Sequence, residues 1–255
     1  MNQDRILTSD RQQPEPVVES TEASPNLAEF TSSMVHDLQA PLRSLTMFTE
    51  LLTKEYQEDL DEKGQLYLDR IAASGSRMQT LVEDLLTYSR TGTGEQTWIT
   101  VNLNQIIDRI QSDLQSEIFR SQATIVVGEL PQLLLNPKDI YQLFKNLIEN
   151  GLKFSHSAPQ IEISVTAQAE EWLFAIEDRG IGIAPEFQLQ IFEVFQRLHA
   201  DDVYPGSGIG LAICQKIVRR YEGIIWVESQ VDKGSTFYFT LPMNICPQSA
   251  NAKIA

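Results

Sequence analysis

Four groups of residues have the types and spacing that chemistry requires, and the first centres on a histidine. His36 lies in a stretch whose apolar residues recur with helical spacing. At about 100° per residue those apolar residues point within about 40° of one direction, and His36 points roughly 160° away, so we expect its imidazole to face solvent. Asp37 could orient the ring or accept its proton, and Pro41 should kink the helix nearby. A surface histidine is usually only that, but these neighbours make His36 the candidate reactive residue.

The second group is a polar stripe on a later predicted helix. Asn146, Asn150 and Lys153 fall within about 60° of each other on a helical wheel. Two amides and an ammonium suit a phosphate–metal complex, with oxygen ligands for Mg²⁺ and positive charge for phosphate. The alternative is an ordinary solvated face, although exposed helix positions favour Lys, Glu or Gln over Asn.

The other two groups are glycine-rich segments. The first follows a predicted strand and is either a simple turn or a binding loop. In a binding loop, its glycines would let a flat ring approach closely, and its carboxylate could accept a hydrogen bond from the amino group of a nucleobase. The second opens a helix, where free backbone N–H groups can hold phosphate, although such a cluster is a weak signal alone. The mostly polar stretch between Phe195 and Gly206, which includes Arg197, is interpreted as a lid. The candidate binding residues are Asp178, Gly180 and Gly182 in the first segment and Gly206, Gly208, Gly210 and Leu211 in the second.

Composition excludes several classes of protein. The chain has 255 residues and a formal net charge of −15, which repels phosphate backbones, so no nucleic-acid partner is expected. No apolar run reaches the 18 or so residues of a membrane span, and no signal peptide is recognisable. The two cysteines cannot form a disulfide scaffold. These observations predict a cytoplasmic protein of one or two domains.

The elements that must position these groups fall into two parts. Residues 1–26 are predicted to be a disordered lead-in. Two apolar seams within 27–90 predict a helical hairpin, too thin to cover its own stripes and therefore expected to form a dimeric four-helix bundle with a second copy. Residues 91–97 read as a hinge. Residues 98–243 predict an α+β sandwich, a mixed sheet covered by helices on one face, and 244–255 form a tail.

Finer boundaries follow from caps and periodicity. Asn102 is expected to cap a helix from Leu103 to about Ser121, and Asn136 a helix from Pro137 to about Phe154. Shorter helices are expected at Pro185–Phe195 and Gly210–Tyr221. The predicted strands are Trp98–Val101, Thr124–Val127, Leu133–Leu135, Gln160–Ala169, Glu171–Glu177, Ile224–Ser229 and Thr236–Leu241.

In this order, the motifs resemble those of two-component sensor histidine kinases. The similar segments are an H-box at His36–Leu42, an N-box at Asn146–Phe154, G-boxes at Asp178–Gly182 and Gly206–Leu211, and an F-box at Ile191–Phe195. The H-box and the stretch before the second G-box are most similar to phytochrome-type kinase modules. The resemblance implies a dimerising hairpin followed by an ATP domain of the type shared with gyrase, heat-shock chaperone and mismatch-repair ATPases.

The resemblance also implies roles for individual residues. Asn150 would bind Mg²⁺ with support from Asn146, Lys153 and Arg197 would contact the phosphates, Asp178 would read adenine, and the glycines would line the nucleotide. The γ-phosphoryl group of ATP would pass to His36, with Asp37 as orienting group or base. It would then pass to an aspartate of a separate response regulator. The signal would come from an upstream sensor protein or from a sensor domain missing from this sequence.

Two other functions remain open at this stage. One is an ATP-gated clamp or ATPase of the gyrase–chaperone kind. Those proteins carry Glu where this chain has Asn146, and an amide cannot deprotonate water, which favours transfer over hydrolysis. The other is a dimerising scaffold without turnover, which the intact motifs disfavour.

Overall fold

The first part of the chain is a hairpin of two long helices. The structure, a computed structural model, describes residues 25–91, 97–155, 158–198, 204 and 206–244, but not the side chains of 25–37. Helix α1 spans Pro25–Tyr56 and helix α2 spans Glu62–Arg90. A 3₁₀ turn joins them, and the Asp61 carboxylate caps α2 by accepting a hydrogen bond from the Gly64 N–H at 2.8 Å. The predicted hairpin is confirmed. Most of the predicted lead-in, hinge and tail lies outside the described residues.

The two helices cover little of each other's apolar surface. Leu42 and Val82 form a small buried cluster, and Gly75 lets the helices approach, because an added Cβ there would lie 3.3 Å from Leu45 and from Thr46. In the single chain many other apolar side chains of the two helices are exposed. Among the described side chains, the large exposed apolar ones are Leu38, Leu45, Met47, Phe48, Leu51, Leu52 and Tyr56 on α1, and Leu66, Tyr67, Ile71 and Met78 on α2.

The second part is built on a five-stranded mixed sheet. Its strand order is β2-β4-β5-β7-β6, with β2 parallel to β4 and the other neighbours antiparallel. A separate antiparallel pair, β1 with β3, lies outside this sheet. This confirms the predicted mixed sheet. The strands are β1 (Ile99–Asn102), β2 (Thr124–Val127), β3 (Gln132–Leu135), β4 (Gln160–Ala167), β5 (Glu171–Asp178), β6 (Ile225–Gln230) and β7 (Gly234–Pro242).

Amphipathic helices bury their apolar faces on this sheet. Phe144, Phe174 and Phe239 are fully buried and meet at ring-centroid distances of 4.7–5.9 Å. Such burial is the main stabilising term for a domain of this kind. The helices of this part are α3 (Leu103–Asp113), α4 (Gln115–Ser121), α5 (Pro137–Lys153) and α6 (Gly210–Arg220).

Two predicted helices differ in the structure. The helix predicted from Leu103 to about Ser121 breaks at Leu114, whose side chain turns into the core. The predicted Pro185–Phe195 helix is wrong: the segment forms two 3₁₀ turns. The amide side chain of Gln188 donates to the carbonyls of Ile183 and Ser229, which holds the segment in tight turns against the sheet. Among the described helices, none is long and apolar enough to cross a membrane.

Candidate functional site

The predicted polar stripe of α5 is only partly a solvent-facing surface. Asn136 caps the helix through its side-chain oxygen, 2.9 Å from the Lys138 N–H. Asn146 is only 8% exposed. Its amide donates to the Gly210 carbonyl at 2.9 Å and accepts from the Gln142 amide at 2.7 Å. Because Gly210 is the first residue of α6, Asn146 ties the middle of α5 to the opening of α6.

The next two turns of α5 carry the other polar residues. Asn150 is half-buried, and its side-chain amide has no hydrogen-bond partner among the described residues. The Lys153 ammonium lies 4.4 Å from the ring centroid of Phe154. Burial lowers the pKa of Lys153, while the negative charge of Glu149 acts in the opposite direction. An unpartnered amide oxygen and a desolvated cation therefore lie one helical turn apart.

The first glycine-rich segment begins with a buried carboxylate at the end of β5. Asp178 is 7% exposed and accepts hydrogen bonds from the backbone of Gly180, at 2.8 Å, and of Ser235. Burial raises the pKa of Asp178 to about 6, although both backbone bonds lower it. Gly182 has φ +69°, and a side chain there would collide with the Gln230 carbonyl. The loop therefore presents an acceptor with little side-chain bulk around it.

The second glycine-rich segment lies over α5. A Cβ on Gly206 would be 2.7 Å from the Lys153 ammonium, and one on Gly210 would be 3.7 Å from the Asn146 amide. Gly208 has φ +73°, and its carbonyl accepts from the Phe195 N–H at 3.1 Å. Helix α6 starts without a side-chain cap, and its second residue, Leu211, packs on the core. Uncapped N–H groups at a helix start favour an anion.

Arg197 belongs to the same cluster. A Cβ on Gly208 would lie 2.9 Å from its Cγ, and its guanidinium donates to the Tyr204 carbonyl at 3.0 Å. The Tyr204 ring packs 5.0 Å from that of Phe154, at the end of α5. The remainder of the predicted lid, residues 199–203 and 205, lies outside the described residues.

These elements make one polar cleft at the junction of α5, the two glycine-rich segments and the start of α6. It combines a desolvated carboxylate, an unpartnered amide, an ammonium and free helix-start N–H groups, which suits a ligand with a hydrogen-bond donor at one end and phosphates at the other. No group of three His, Cys, Asp or Glu converges on a metal position within the described part of the chain. His36 and Asp37 lie in α1, and their side chains are outside the description.

Two family matches now account for both parts of the chain. Residues 26–94 match the His Kinase A (phospho-acceptor) domain, and residues 135–245 match the histidine kinase-, DNA gyrase B- and HSP90-like ATPase domain. The chain belongs to the sensor histidine kinases. This family contains the phosphoacceptor hairpin and the ATPase domain in the order seen here.

Three known proteins illustrate what this chain is similar to. The chain is 40% identical over 219 residues to the phytochrome-like protein Cph1 of Synechocystis sp., covering 86% of this chain and 29% of that protein. It is 41% identical over 218 residues to cyanobacterial phytochrome A of Nostoc sp., covering 85% of this chain and 28% of that protein. The full-length structure of ShkA shares the fold, with a TM-score of 0.66 at 23% identity, covering 86% of this chain and 46% of that chain.

Several residues that hold the cleft together were missed by sequence reasoning. Gln142 orients Asn146, and the hydroxyl of Ser207 accepts a hydrogen bond from the Ile209 N–H at 3.1 Å. At the far end of α6, the Tyr221 hydroxyl accepts from the Asn136 N–H at 3.0 Å and so fixes the start of α5. Gln142 could have been found, because it precedes Asn146 by one helical turn. Nothing in the sequence pairs Tyr221 with Asn136.

The raised pKa of Asp178 predicts a pH dependence of stability. The folded pKa, about 6, is above the ordinary value of 3.8, so the folded state binds the proton more tightly than the unfolded state. The free energy of unfolding therefore falls as pH rises from about 4 to about 6. Asp178→Asn should remove on the order of 2 kcal/mol of this decline, at about 1.4 kcal/mol per pKa unit.

Urea unfolding at pH 4, 5, 6 and 7 measures this effect. Glu228→Gln, which changes an exposed carboxylate on β6, is the matched control. Equal declines in the wild type and Asp178→Asn would contradict the assignment.

Proposed function

We propose that this chain is an ATP-dependent protein-histidine kinase that phosphorylates His36 and passes the phosphoryl group to an aspartate of a response regulator. The observation that carries the proposal is the polar stripe of α5, with Asn146 bonded to the start of α6 and Asp178 beside Gly151 of the same helix, in a chain that also has a phosphoacceptor-type hairpin. The chain covers less than a third of the phytochrome relatives, so its activity and partners are inferred from these residues and from the family.

The cleft residues fit the parts of ATP. The Asp178 carboxylate, with backbone donors that only partly offset its burial, accepts a hydrogen bond from the adenine amino group. The N–H groups at Gly210 and Leu211, with Lys153 and Arg197, contact the phosphates. The glycines at 180, 182, 206 and 208 admit the nucleotide closely.

The Asn150 amide fits a hard cation. It lacks a partner among the described residues, and neutral amide oxygens ligate Mg²⁺ together with phosphate oxygens. Asn146 supports this position from the preceding turn. Mg²⁺, when bound, neutralises charge that develops on the phosphates during transfer.

The reaction takes place at the His36 ring. A ring nitrogen attacks the γ-phosphorus, a P–N bond forms, and the P–O bond to ADP breaks with its electron pair leaving on ADP. The ring proton passes to Asp37, the adjacent carboxylate. A later transfer moves the phosphoryl group from His36 to a carboxylate oxygen of the response regulator.

Asn146 favours this reaction over ATP hydrolysis. Its amide cannot accept a proton from water, and both of its polar atoms are already engaged by Gln142 and Gly210. A gyrase-like ATPase would need a base at this position, so we disfavour that alternative. A scaffold without turnover would have no use for the unpartnered Asn150 amide.

The uncovered apolar seams support a homodimer through residues 27–90. Phe48, for example, is 60% exposed in the single chain, and a second copy would cover it. We also infer a cytoplasmic kinase that takes its signal from a sensor protein or domain and has no nucleic-acid partner.

The central test is the substitution His36→Gln. The purified wild type incubated with γ-labelled ATP should acquire an acid-labile, base-stable label, and the variant should acquire none. The variant's affinity for a non-hydrolysable ATP analogue should stay within about twofold of the wild type, and its stability within about 0.5 kcal/mol, because the helical pattern predicts that His36 faces solvent. His156→Gln, which lies outside the motifs, is the control. Stoichiometric labelling of His36→Gln would assign the phosphoacceptor elsewhere.

Asn150→Asp tests the proposed Mg²⁺ ligand. The added negative charge beside the triphosphate is repulsive, so the labelling rate at a fixed ATP–Mg²⁺ concentration should fall at least tenfold, with no change in molecular mass. The control is Asn244→Asp, which makes the same chemical change at an exposed position after the last strand. An unchanged labelling rate in Asn150→Asp would remove this residue from the site.

Light scattering tests the dimer. The wild type at micromolar concentration should have about twice the 28.8 kDa mass of the chain. Phe48→Glu should shift the mass towards the monomer, because it places a charge in the proposed seam. Phe119→Glu, at a position 85% exposed in the ATPase domain, should leave the dimer intact. A monomeric wild type would refute the bundle.

A further inference from the structure

The end of α2 is held against α6 by one lysine. The Lys216 ammonium donates a hydrogen bond to the Tyr88 carbonyl at 2.6 Å and lies 4.5 Å from the centroid of the Tyr88 ring. Tyr88 is in the last turn of α2, where the helix dipole favours a cation. Half-burial lowers the pKa of Lys216, which marks a cation that has left part of its hydration for this contact.

An apolar strip surrounds the lysine contact. Leu81, Leu85 and Tyr88, spaced at four and three residues on one face of α2, pack partly buried against the ATPase-domain core. Asp84 lies on the same stretch, where burial raises the pKa of its carboxyl and the neighbouring Ser207 hydroxyl lowers it. The hairpin therefore touches both α6 and the second glycine-rich segment.

Asp84 lies at the height of His36 along the hairpin, and Tyr88 lies four residues, about 6 Å, farther from the hairpin loop. Gly75 of α2 faces Leu45 of α1, as the 3.3 Å separation shows. Asp84 lies nine residues beyond Gly75, and His36 lies nine residues before Leu45. In antiparallel helices that rise about 1.5 Å per residue, both positions are about 14 Å from the crossing, on the same side.

We propose that Lys216 is a positioning residue for phosphoryl transfer, which docks α6 on the last turn of α2 and so holds the phosphate end of the nucleotide cleft level with His36. The inference rests on the proposed kinase function. Gly210 opens α6 at the cleft, and Lys216 lies six residues along the same rigid helix. Fixing one end of α6 to the hairpin therefore fixes the other end relative to the phosphoacceptor.

A hydrogen bond is required here because apolar contact alone does not set a register. The strip of Leu81, Leu85 and Tyr88 would tolerate sliding by a turn, since burial is non-directional. The bond from Lys216 to one carbonyl has a fixed length and direction. A misplacement of about 1 Å can reduce a transfer rate about a hundredfold.

The test compares Lys216→Met, Lys216→Arg and the control Arg219→Met, which removes an exposed cation from the same helix. Two properties are measured in the full chain. One is hydrogen exchange of the backbone in residues 81–91 without nucleotide. The other is the rate of autophosphorylation at saturating ATP, with the affinity for a non-hydrolysable ATP analogue measured in parallel as a check that the cleft is folded.

Lys216→Met should exchange at least fivefold faster in residues 81–91 and autophosphorylate about tenfold more slowly, with analogue affinity within twofold of the wild type. Lys216→Arg should restore the rate to within threefold, and Arg219→Met should match the wild type in both properties. Unchanged exchange in Lys216→Met overturns the docking contact. Faster exchange with an unchanged or increased rate overturns the positioning role. A wild type that takes up no label overturns the kinase proposal instead, while the exchange result still decides the contact.

Discussion

The geometry of the ATPase domain depends on one buried amide. Asn146 lies inside α5 with almost no exposure, and an unpaired polar group in such a place costs about 1–3 kcal/mol. Both ends of its side chain are used, one by Gln142 within the same helix and the other by the Gly210 carbonyl. The requirement to satisfy this amide fixes where α6 begins relative to α5. The free N–H groups at the start of α6 therefore have a definite place, above the polar stripe.

The two glycine-rich segments are shaped by what lies beneath them. Gly206 passes over the Lys153 ammonium, and Gly208 adopts a positive φ that brings its carbonyl to Phe195. On the other side of the cleft, Asp178 has two backbone donors, which do not offset the burial of its charge. A buried carboxylate whose charge is only partly compensated is stabilised by one more hydrogen-bond donor. The cleft therefore has an unsatisfied acceptor at one end and unsatisfied donors at the other, which is the polarity of a nucleotide.

The apolar seam of α2 has two parts with different surroundings. Its last turns, from Leu81 to Tyr88, are covered by the ATPase domain. Further towards the hairpin loop, Tyr67, Ile71 and Met78 stay exposed in the single chain, and the facing side of α1 is no better covered. Apolar area of this extent is stable in water only when another surface covers it. The seam thus divides into a part that is covered within the chain and a part that stays uncovered in the single chain.

The sequence by itself determined most of the element types and the polar positions of the cleft. The hairpin followed from apolar spacing of three and four, and the start of α5 followed from Asn136 and Pro137, because caps and periodicity are local properties of the chain. The stripe of Asn146, Asn150 and Lys153 was likewise readable on a helical wheel. Local patterns failed at Leu114 and across Pro185–Phe195, where burial against the sheet overrides helix propensity.

Only the tertiary structure decided which polar residues meet. The bond from Asn146 to Gly210, the approach of Gly206 to Lys153 and the bond from Lys216 to Tyr88 join positions that are 64, 53 and 128 residues apart. No periodicity encodes such pairs, since they result from the way the helices pack on the sheet and on each other. The partial burial of Asn150, and the burial that raises the pKa of Asp178, come from the same packing. The sequence determined the chemistry that was available, and the packing decided where it is desolvated and what it faces.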